Sequence, residues 1–251
     1  MPKVQDKEYV DISKVSIKLI SKDIAKNIIE TYHYSHRFSS TRYALGIFYK
    51  TENKNSFFEG EVDQLIGCMT YGYPVGRLTA DSISSKLKPE DVLELTRLFI
   101  HDGYGANIES YALSLSFKWL KENDKNIKML ISYSDPGQGH LGIIYRATNW
   151  GYQGDRVRLV ESFSVQLEKD GEWLHPRTIF SMYGSNSIDI MKKQIGHTFW
   201  IRNEARKHRY IYTLANKKEK KEILSNLKHP LLPYSDKDTT PYVVGIKEIT
   251  V

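Results

Sequence analysis

Two side chains in the sequence, those of Asp135 and Tyr145, are suited to moving protons. Asp135 closes an apolar run inside Ser-Asp-Pro-Gly-Gln-Gly, where α/β proteins commonly present catalytic groups. Tyr145 follows Leu141 by one helical turn, and a phenol there could protonate a leaving group or position a reacting amine. The structural alternatives are that Asp135 forms an ordinary turn before proline and that Tyr145, one of 17 tyrosines, packs in the core.

Arg97 lies in the apolar run Leu93–Ile100, on the strand face that simple alternation assigns to Leu95 and Phe99. Because an unpaired guanidinium is costly to bury, we expect Arg97 to have an anionic partner. The alternative to a bound anion is a structural ion pair with an internal acid.

Gly103 and Gly105 stand between this predicted strand and a predicted helix that begins after Asn107. Two glycines there let backbone N–H groups approach a phosphate, and the helix N-terminus adds a favourable field. The alternative is a turn whose glycines serve geometry only.

His33 and His36 are three residues apart and could hold a metal ion, although no third ligand stands beside them. Polar contacts or substrate binding are the alternative role for this pair.

A basic stretch lies in the last third of the chain, next to aromatic residues. Its members are Arg202, Arg206, Lys207, His208 and Arg209, beside Phe199, Trp200, Tyr210 and Tyr212. Such a mixture suits phosphate binding and base stacking. A solvated basic helix beside a core strand is the structural alternative.

The elements that must position these residues follow from hydrophobic periodicity. Helices are predicted after Ser21 (Ala25, Ile28, Ile29, Tyr32), after Asn107 (Ile108, Tyr111, Ala112, Leu115, Trp119), along Leu141, Ile144, Tyr145 and Thr148, and over Lys217–Lys228; strands are predicted at Tyr43–Tyr49, Gln64–Tyr71, Leu93–Ile100, Ile127–Tyr133 and Val157–Leu167. This order predicts an α/β fold with a mixed central sheet flanked by helices.

Length and composition favour one domain over residues 1–251, with a core over about 15–170 and a basic C-terminal extension over about 171–251. The net charge of +6 favours a polyanionic partner such as nucleic acid. Cys68 is the only cysteine, which excludes an intrachain disulfide and fits a reducing compartment, most simply the cytoplasm. No apolar run is long enough for a membrane helix, so no membrane partner is expected.

The element order resembles the core of the GNAT N-acetyltransferases, whose pyrophosphate loop reads Q/R-x-x-G-x-G/A. The aligned residues are Ile100-His101-Asp102-Gly103-Tyr104-Gly105. Both glycines match, but Ile100 replaces the Gln or Arg and Asp102 adds negative charge. The resemblance implies a GNAT-like N-acyltransferase fold and an acyl-CoA-type donor. The two departures argue against that donor.

Several ordered motifs resemble the Mom family of phage DNA-modification proteins, from about Ile28 to Tyr234. They are His33-Tyr34-Ser35-His36-Arg37, Glu94-Leu95-Thr96-Arg97-Leu98, Asn107-Ile108-Glu109-Ser110, Ser132-Tyr133-Ser134-Asp135-Pro136 with Gly139-His140, Ile144-Tyr145-Arg146-Ala147-Thr148-Asn149, and Lys207-His208-Arg209-Tyr210-Ile211-Tyr212. The resemblance implies a GNAT-like enzyme that converts adenine in DNA to an N6-carbamoylmethyl derivative and so protects phage DNA from host restriction.

The same resemblance implies roles for particular residues. Catalytic roles fall on Asp135, Tyr145, Arg97 and Ser110; cofactor binding on Arg97, Gly103, Gly105, Asn107 and Ser110; and substrate or DNA binding on His33, Tyr34, His36, Glu109, Asn149, Arg202, Arg206 and Arg209. The group donor is open, and a metal ion is a further expectation, with His33 and His36 as its candidates.

DNA is the expected partner, either single-stranded or double-stranded with the target adenine rotated out of the stack. Tyr34, Trp150 or Trp200 could hold such a base. Two other functions compete with this one: an acetyl-CoA-dependent N-acetyltransferase acting on a small molecule or protein, and a non-catalytic DNA-binding protein on the same fold.

Overall fold

The computed structural model describes residues 9–52, 60–140, 142–155, 163–204, 206–234 and 245–251. The chain divides into two compact units. The first comprises Met1–Ser132, Ile143–Tyr152 and Tyr210–Leu232; the second comprises Tyr133–Gly142, Gln153–Arg209 and Pro233–Val251. The predicted single domain over residues 1–251 stays a prediction.

The described residues contain both β-strands and α-helices. The strands are β1 (Val15–Leu19), β2 (Tyr43–Glu52), β3 (Glu61–Gly72), β4 (Val92–Ile100), β5 (Met129–Ser134), β6 (Gly151–Gly154), β7 (Phe163–Gln166), β8 (Trp173–Leu174), β9 (Phe199–Asn203), β10 (His208–Thr213) and β11 (Ile246–Ile249). The α-helices are α1 (Lys22–Tyr32), α2 (Thr79–Ile83), α3 (Ile108–Asn123), α4 (Ile143–Ala147), α5 (Pro176–Tyr183), α6 (Ile188–Ile195) and α7 (Lys217–Ser225).

The main sheet has seven strands in the order β1-β2-β3-β4-β5-β10-β6. The first four strands pair antiparallel in succession, whereas β4 and β5 pair in parallel. The predicted mixed sheet is thus confirmed, and β4, the glycine turn, α3, β5 and α4 follow in the GNAT-like order. Strand β10, from the predicted C-terminal extension, lies between β5 and β6.

Helix α1 begins where the sequence predicts, because the Ser21 hydroxyl accepts a hydrogen bond from the amide of Ile24 at 3.2 Å. Its buried residues are Ala25, Ile28 and Ile29, which the 3.6-residue period places on one side. The helix ends at His33, where the backbone becomes extended and the His33–Arg37 segment begins.

A β-bulge in β4 corrects the predicted face of Arg97. Tyr71 of β3 pairs with Leu95, and its neighbour Thr70 pairs with Arg97, so Thr96 is an extra residue. Because successive side chains alternate across a strand, the extra residue reverses the alternation beyond it. Arg97 therefore shares a face with Glu94 and Phe99, and the prediction that Leu95 lies on that face is wrong.

Helix α3 starts after Asn107, as predicted, although Asn107 adopts a left-handed backbone (φ 69°) and its side chain forms no capping bond. The buried side of the helix includes Ser116 and Phe117, whereas the predicted stripe members Leu115 and Trp119 are only half-buried. Ser116 tolerates burial because its hydroxyl lies 2.6 Å from the hydroxyl of Tyr71.

The second unit has its own four-stranded sheet, in the order β11-β9-β7-β8 with antiparallel pairing throughout. Helices α5 and α6 contribute to its core, which is formed by Val165, Ile179, Met191, Phe199, Ile201 and Ile249. The predicted strand from Val157 to Leu167 is confirmed in part as β7, while Val157 and Leu159 lie outside the described residues. Leu141, the first residue of the predicted stripe Leu141, Ile144, Tyr145 and Thr148, lies outside them as well.

The predicted lysine-rich helix is confirmed as α7, in the first unit. Within the described residues, no helix has the length and apolar character needed to span a lipid bilayer.

Candidate active site

Four side chains from three separate segments of the first unit interact electrostatically. Tyr34 and Glu94 both act on Arg97, and the same two residues act on Tyr145. Tyr34 comes from the segment after α1, Glu94 and Arg97 from β4, and Tyr145 from α4. The fold thus brings together Tyr34, Arg97 and Tyr145, and we call these three residues with Glu94 the Arg97 cluster.

Arg97 is held by backbone carbonyls. Its Nε donates to the carbonyl oxygen of Arg37 at 2.9 Å, and its Nη1 donates to that of Thr96 at 2.6 Å. Burial lowers the pKa of Arg97, while the nearby Tyr34 and Glu94 act in the opposite direction. Because a guanidinium has five N–H groups, these two bonds leave donors that could bind an anion or a carbonyl oxygen.

Tyr145 is buried, and its hydroxyl lies 2.8 Å from that of Ser132 on β5. The Ser132 hydroxyl in turn donates to the carbonyl of Leu95 at 3.1 Å. Since a serine has one hydroxyl proton, Tyr145 must be the donor in its bond with Ser132. Burial raises the pKa of Tyr145 well above its ordinary value, so the phenol keeps its proton and acts as a hydrogen-bond donor.

Aromatic rings fix the orientation of Tyr145. Its ring stacks on Tyr210 at 4.4 Å and meets Trp150 edge-on at 5.2 Å. Trp150 is only 2 % exposed, so the prediction that it could hold a flipped base is wrong in this structure. Tyr34, at 53 % exposure, has the accessible ring that such a role requires.

His33 and His36 use their Nδ1 atoms in local bonds. The buried His33 accepts from the amide of Ser35 at 3.1 Å, and its ring lies 4.3 Å from that of Tyr34. His36, with a left-handed backbone (φ 46°), donates to the carbonyl of Glu30 at 2.9 Å. Among the described residues, no three His, Cys, Asp or Glu side chains converge as a metal site would require. These contacts favour the polar role for the pair.

The glycine turn lies against the chain's own N-terminal segment. Both glycines have positive φ, 98° at Gly103 and 99° at Gly105. A Cβ at Gly105 would lie 2.7 Å from the amide nitrogen of Val10, which itself donates to the carbonyl of Ala106. Beside the turn, Ile100 supplies no side-chain donor for a pyrophosphate, and Asp102 adds negative charge. The close backbone contact favours the structural alternative for Gly105, whereas Gly103 has open space around it.

At the start of α3, Ser110 donates its hydroxyl to the carbonyl of Asn107 at 2.9 Å. Glu109 beside it is exposed, as is Asn149 after α4. The structure shows these residues at or near helix ends, where backbone groups are available to ligands.

Asp135 and the basic stretch lie in the second unit. Oδ1 of Asp135 accepts from the amide of Gly137 at 3.0 Å, and Oδ2 lies 3.4 Å from Nζ of Lys207. The ion pair joins the predicted base to the predicted DNA-binding stretch. Asp135 thus stabilises the turn, as the structural alternative predicts, and also has a charged partner in Lys207.

The predicted DNA-binding arginines differ in accessibility. Arg209 is 2 % exposed and donates to the side-chain oxygen of Gln153 at 2.8 Å, which favours a structural role. Arg202 pairs with Glu204 and lies 4.6 Å from the ring centre of Trp173. Arg206 is exposed, as phosphate binding requires. Trp200, half-buried, bonds to Glu248 through its indole nitrogen at 3.3 Å.

The sequence profile of the Mom protein family matches residues 14–236, most of the chain. This chain belongs to the Mom protein family. A relative from Escherichia phage Mu, described as "Methylcarbamoylase mom", is 26% identical over 220 residues, which are 85% of this chain and 81% of that protein. The matched range contains every predicted site residue of the family's motifs.

Two solved structures are also similar to this member of the Mom family. An N-acetyltransferase from Staphylococcus aureus Mu50 covers 80% of this chain and 99% of its own, with 12% identity and a TM-score of 0.38. A probable acetyltransferase from Staphylococcus epidermidis ATCC 12228 covers 79% of this chain and 98% of its own, again with 12% identity and a TM-score of 0.38. At these scores the likenesses say nothing about what this chain binds.

Glu94, Ser132 and Tyr210 are not among the predicted site residues, although they contact or act on them. Glu94 is the single acid within an apolar strand, which is a readable signal of a special role. Ser132 stands inside the Ser-Tyr-Ser-Asp-Pro motif of the Mom family. Tyr210 had no such signal, because its stack on Tyr145 depends on β10 lying beside β5.

Proposed function

We propose that this chain is a phage DNA-modifying transferase that attaches a carbamoylmethyl-type group to the N6 amine of adenine. The observation that carries this proposal is that the Mom family match spans the Arg97 cluster and Asp135 together. The phage Mu relative is described as a methylcarbamoylase, which is consistent with such a group. Protection of phage DNA from host restriction is the expected consequence.

In the proposed reaction, a bond forms between N6 of adenine and the methylene carbon of a donor that carries a carbamoylmethyl group on a leaving group. The bond from that carbon to the leaving group breaks, and its electron pair goes to the leaving group. The N6 proton passes to Asp135, because the amine's lone pair is shared with the ring and attack is easier as the proton departs. Atoms and charge balance without an oxidant or a reductant.

Tyr145 and Arg97 stabilise the charge that develops on the donor. The Tyr145 phenol keeps its proton and can turn from Ser132 toward the leaving group by rotation about its C–O bond. Arg97 binds the donor's carbonyl oxygen through the N–H groups that its two backbone bonds leave over. Preorganised donors of this kind act where negative charge grows.

Tyr34 is proposed to stack on the adenine after the base leaves the duplex. Its ring is exposed, and it is coupled to both Arg97 and Tyr145. A base that is flipped or single-stranded exposes its amine, which a stacked duplex hides. This proposal makes DNA a substrate, with the exposed Arg206 as one phosphate contact.

The test is to express the chain in bacteria, digest plasmid DNA to nucleosides and search for a new adenine derivative by mass spectrometry. We expect a nucleoside heavier than deoxyadenosine by a carbamoylmethyl group less one hydrogen, absent with the Arg97→Ala variant. An unchanged nucleoside profile with confirmed expression would contradict the proposal. DNA binding without a new nucleoside would instead support the non-catalytic alternative, and acetylation of another substrate would support the acetyltransferase alternative.

A further inference from the structure

A groove in the first unit lies apart from the Arg97 cluster. It runs between α3, the end of α4 and β10, and its volume is about 470 Å³. Its lining includes Phe117, Lys118 and Lys121 of α3, Asn149 after α4, and Tyr212 of β10. No member of the Arg97 cluster lines it.

Two lysines give the groove a positive rim. Lys118 and Lys121 are exposed, and within the described part of the chain neither forms an ion pair. They are three residues apart on one helix, so their side chains project from neighbouring positions on the same face. Glu122 is the acidic residue of the lining, which leaves a net positive charge.

The floor of the groove is aromatic and held in place from below. The rings of Phe117 and Tyr212 stack at 4.1 Å with an angle of 21° between their planes. Trp150 packs against both, at 5.9 Å from Phe117 and 5.8 Å from Tyr212. Burial raises the pKa of Tyr212, so its phenol stays neutral. An apolar floor beneath two cations suits a ligand with a flat apolar part and an anionic part.

Asn149 brings an amide to the rim in an unusual backbone conformation. It is exposed, and its φ of 58° lies in the left-handed region. An amide offers both a donor and an acceptor, as the polar edge of a nucleobase or a sugar requires. Asparagine tolerates this conformation better than most residues, so the amide is presented there at small cost.

We propose that this groove binds one nucleotide of the DNA strand outside the target adenine. Lys118 and Lys121 contact its phosphodiester, and the sugar and base lie against the half-buried ring of Tyr212, which Phe117 supports, within reach of the Asn149 amide. Positive grooves with aromatic floors bind nucleic acid strands in this way, and the volume is in the range of about 300–1,000 Å³ typical of small-ligand sites. The inference rests on the proposed function, because it takes DNA as the substrate.

The test measures binding of a fluorescent single-stranded oligonucleotide containing adenine at a series of salt concentrations. Each lost phosphate contact should reduce the slope of log affinity against log salt by about 0.7 for single strands. Because the two lysines share one phosphodiester, Lys118→Ala with Lys121→Ala should lower the slope by about 0.7 relative to the unmodified chain. Both lysines are exposed on a helix, so the double variant should keep its melting temperature.

The matched control is Lys22→Ala with Lys26→Ala, two exposed lysines on one side of α1 that do not line the groove. Their slope should equal that of the unmodified chain. A second variant, Asn149→Gly, keeps the left-handed backbone and removes the amide, and we expect several-fold weaker binding with an unchanged slope. An uncharged contact releases no counterions.

An unchanged slope in the groove variant, or an equal fall in the α1 control, would overturn the inference while leaving the proposed function intact if the plasmid nucleosides are still altered. A lowered slope in the groove variant with unaltered nucleosides would support the groove and reject the catalytic proposal. Absence of any oligonucleotide binding by the unmodified chain would overturn the groove inference, and the plasmid nucleosides would decide the proposed function separately.

Discussion

The hydroxyl of Tyr145 donates to the hydroxyl of Ser132, which in turn donates its only proton to the carbonyl of Leu95. A short chain of hydrogen bonds therefore runs from α4 through β5 to β4, at the parallel junction of the main sheet. These hydrogen bonds fix where the phenolic oxygen of Tyr145 lies, and they leave its proton able to change partner. Both properties are needed for a group that stabilises a departing anion.

Replacing Tyr145 by phenylalanine removes that donor and keeps the ring stack on Tyr210. We expect modification to fall by about 10²–10³-fold, the usual cost of losing one preorganised donor, and stability to fall by about 1 kcal/mol for the lost hydrogen bond. Nucleoside mass spectrometry and urea unfolding measure the two effects. Ser132→Ala is the control, because it should cost similar stability and retain most activity. Equal losses of activity in the Tyr145→Phe and Ser132→Ala variants would assign Tyr145 a packing role.

Replacing Arg97 by alanine should abolish modification, and Arg97→Lys should restore little of it. A lysine keeps the charge but lacks the planar fork that bonds the Arg37 and Thr96 carbonyls while leaving further donors. Arg42→Ala is the matched control, since Arg42 bonds Asp124 at 2.9 Å in the same unit and is not in the cluster. Full activity of Arg97→Lys would show that charge alone suffices.

Asp135→Asn separates the basicity of the carboxylate from its turn role. An asparagine Oδ1 can still accept from the Gly137 amide, so the turn and the melting temperature should be kept. Without a carboxylate to take the N6 proton, modification should fall by about 10²–10⁴-fold. Lys207→Ala, which removes only the ion-pair partner, should have a smaller effect. Normal modification by Asp135→Asn would reject the base assignment.

The parts of the fold and site that local patterns encode were predicted from sequence: α1, α3, β4, β5 and the glycine turn. The face of Arg97 was not, because a bulge is defined by the partner strand, and Thr96 looks like any other residue of an alternating run. Pairing of β10 beside β5 also depends on residues far apart in sequence, as does the burial of Arg209 against Gln153. A basic run cannot reveal which of its arginines lies inside.

Cys68→Ala should flatten the alkaline fall in stability. Burial raises the pKa of the Cys68 thiol from 9.0 to about 12, so between these values the unfolded chain binds fewer protons than the folded one. Stability from this group is therefore complete below pH 9 and is lost as pH rises toward 12, by up to about 1.4 kcal/mol per pH unit. The measurement is the unfolding free energy in urea between pH 8 and 10, and its slope against pH is compared for the unmodified chain and the Cys68→Ala variant. Equal slopes of unfolding free energy against pH would contradict the raised pKa of Cys68. A constant loss of stability from the cavity that alanine leaves would not affect this comparison.

Gly103→Ala and Gly105→Ala form a matched pair at φ values of 98° and 99°. Both should cost about 1–3 kcal/mol of backbone strain. A Cβ at Gly103 meets nothing within 4 Å, whereas one at Gly105 meets the backbone of Tyr9 and Val10. Gly105→Ala should therefore be the more destabilising in urea unfolding and should expose the Tyr9–Val10 segment to protease. If a phosphate occupied the turn instead, Gly103→Ala would reduce modification as strongly as Gly105→Ala. Equal unfolding free energies for the two variants would show that the N-terminal segment does not require the second glycine.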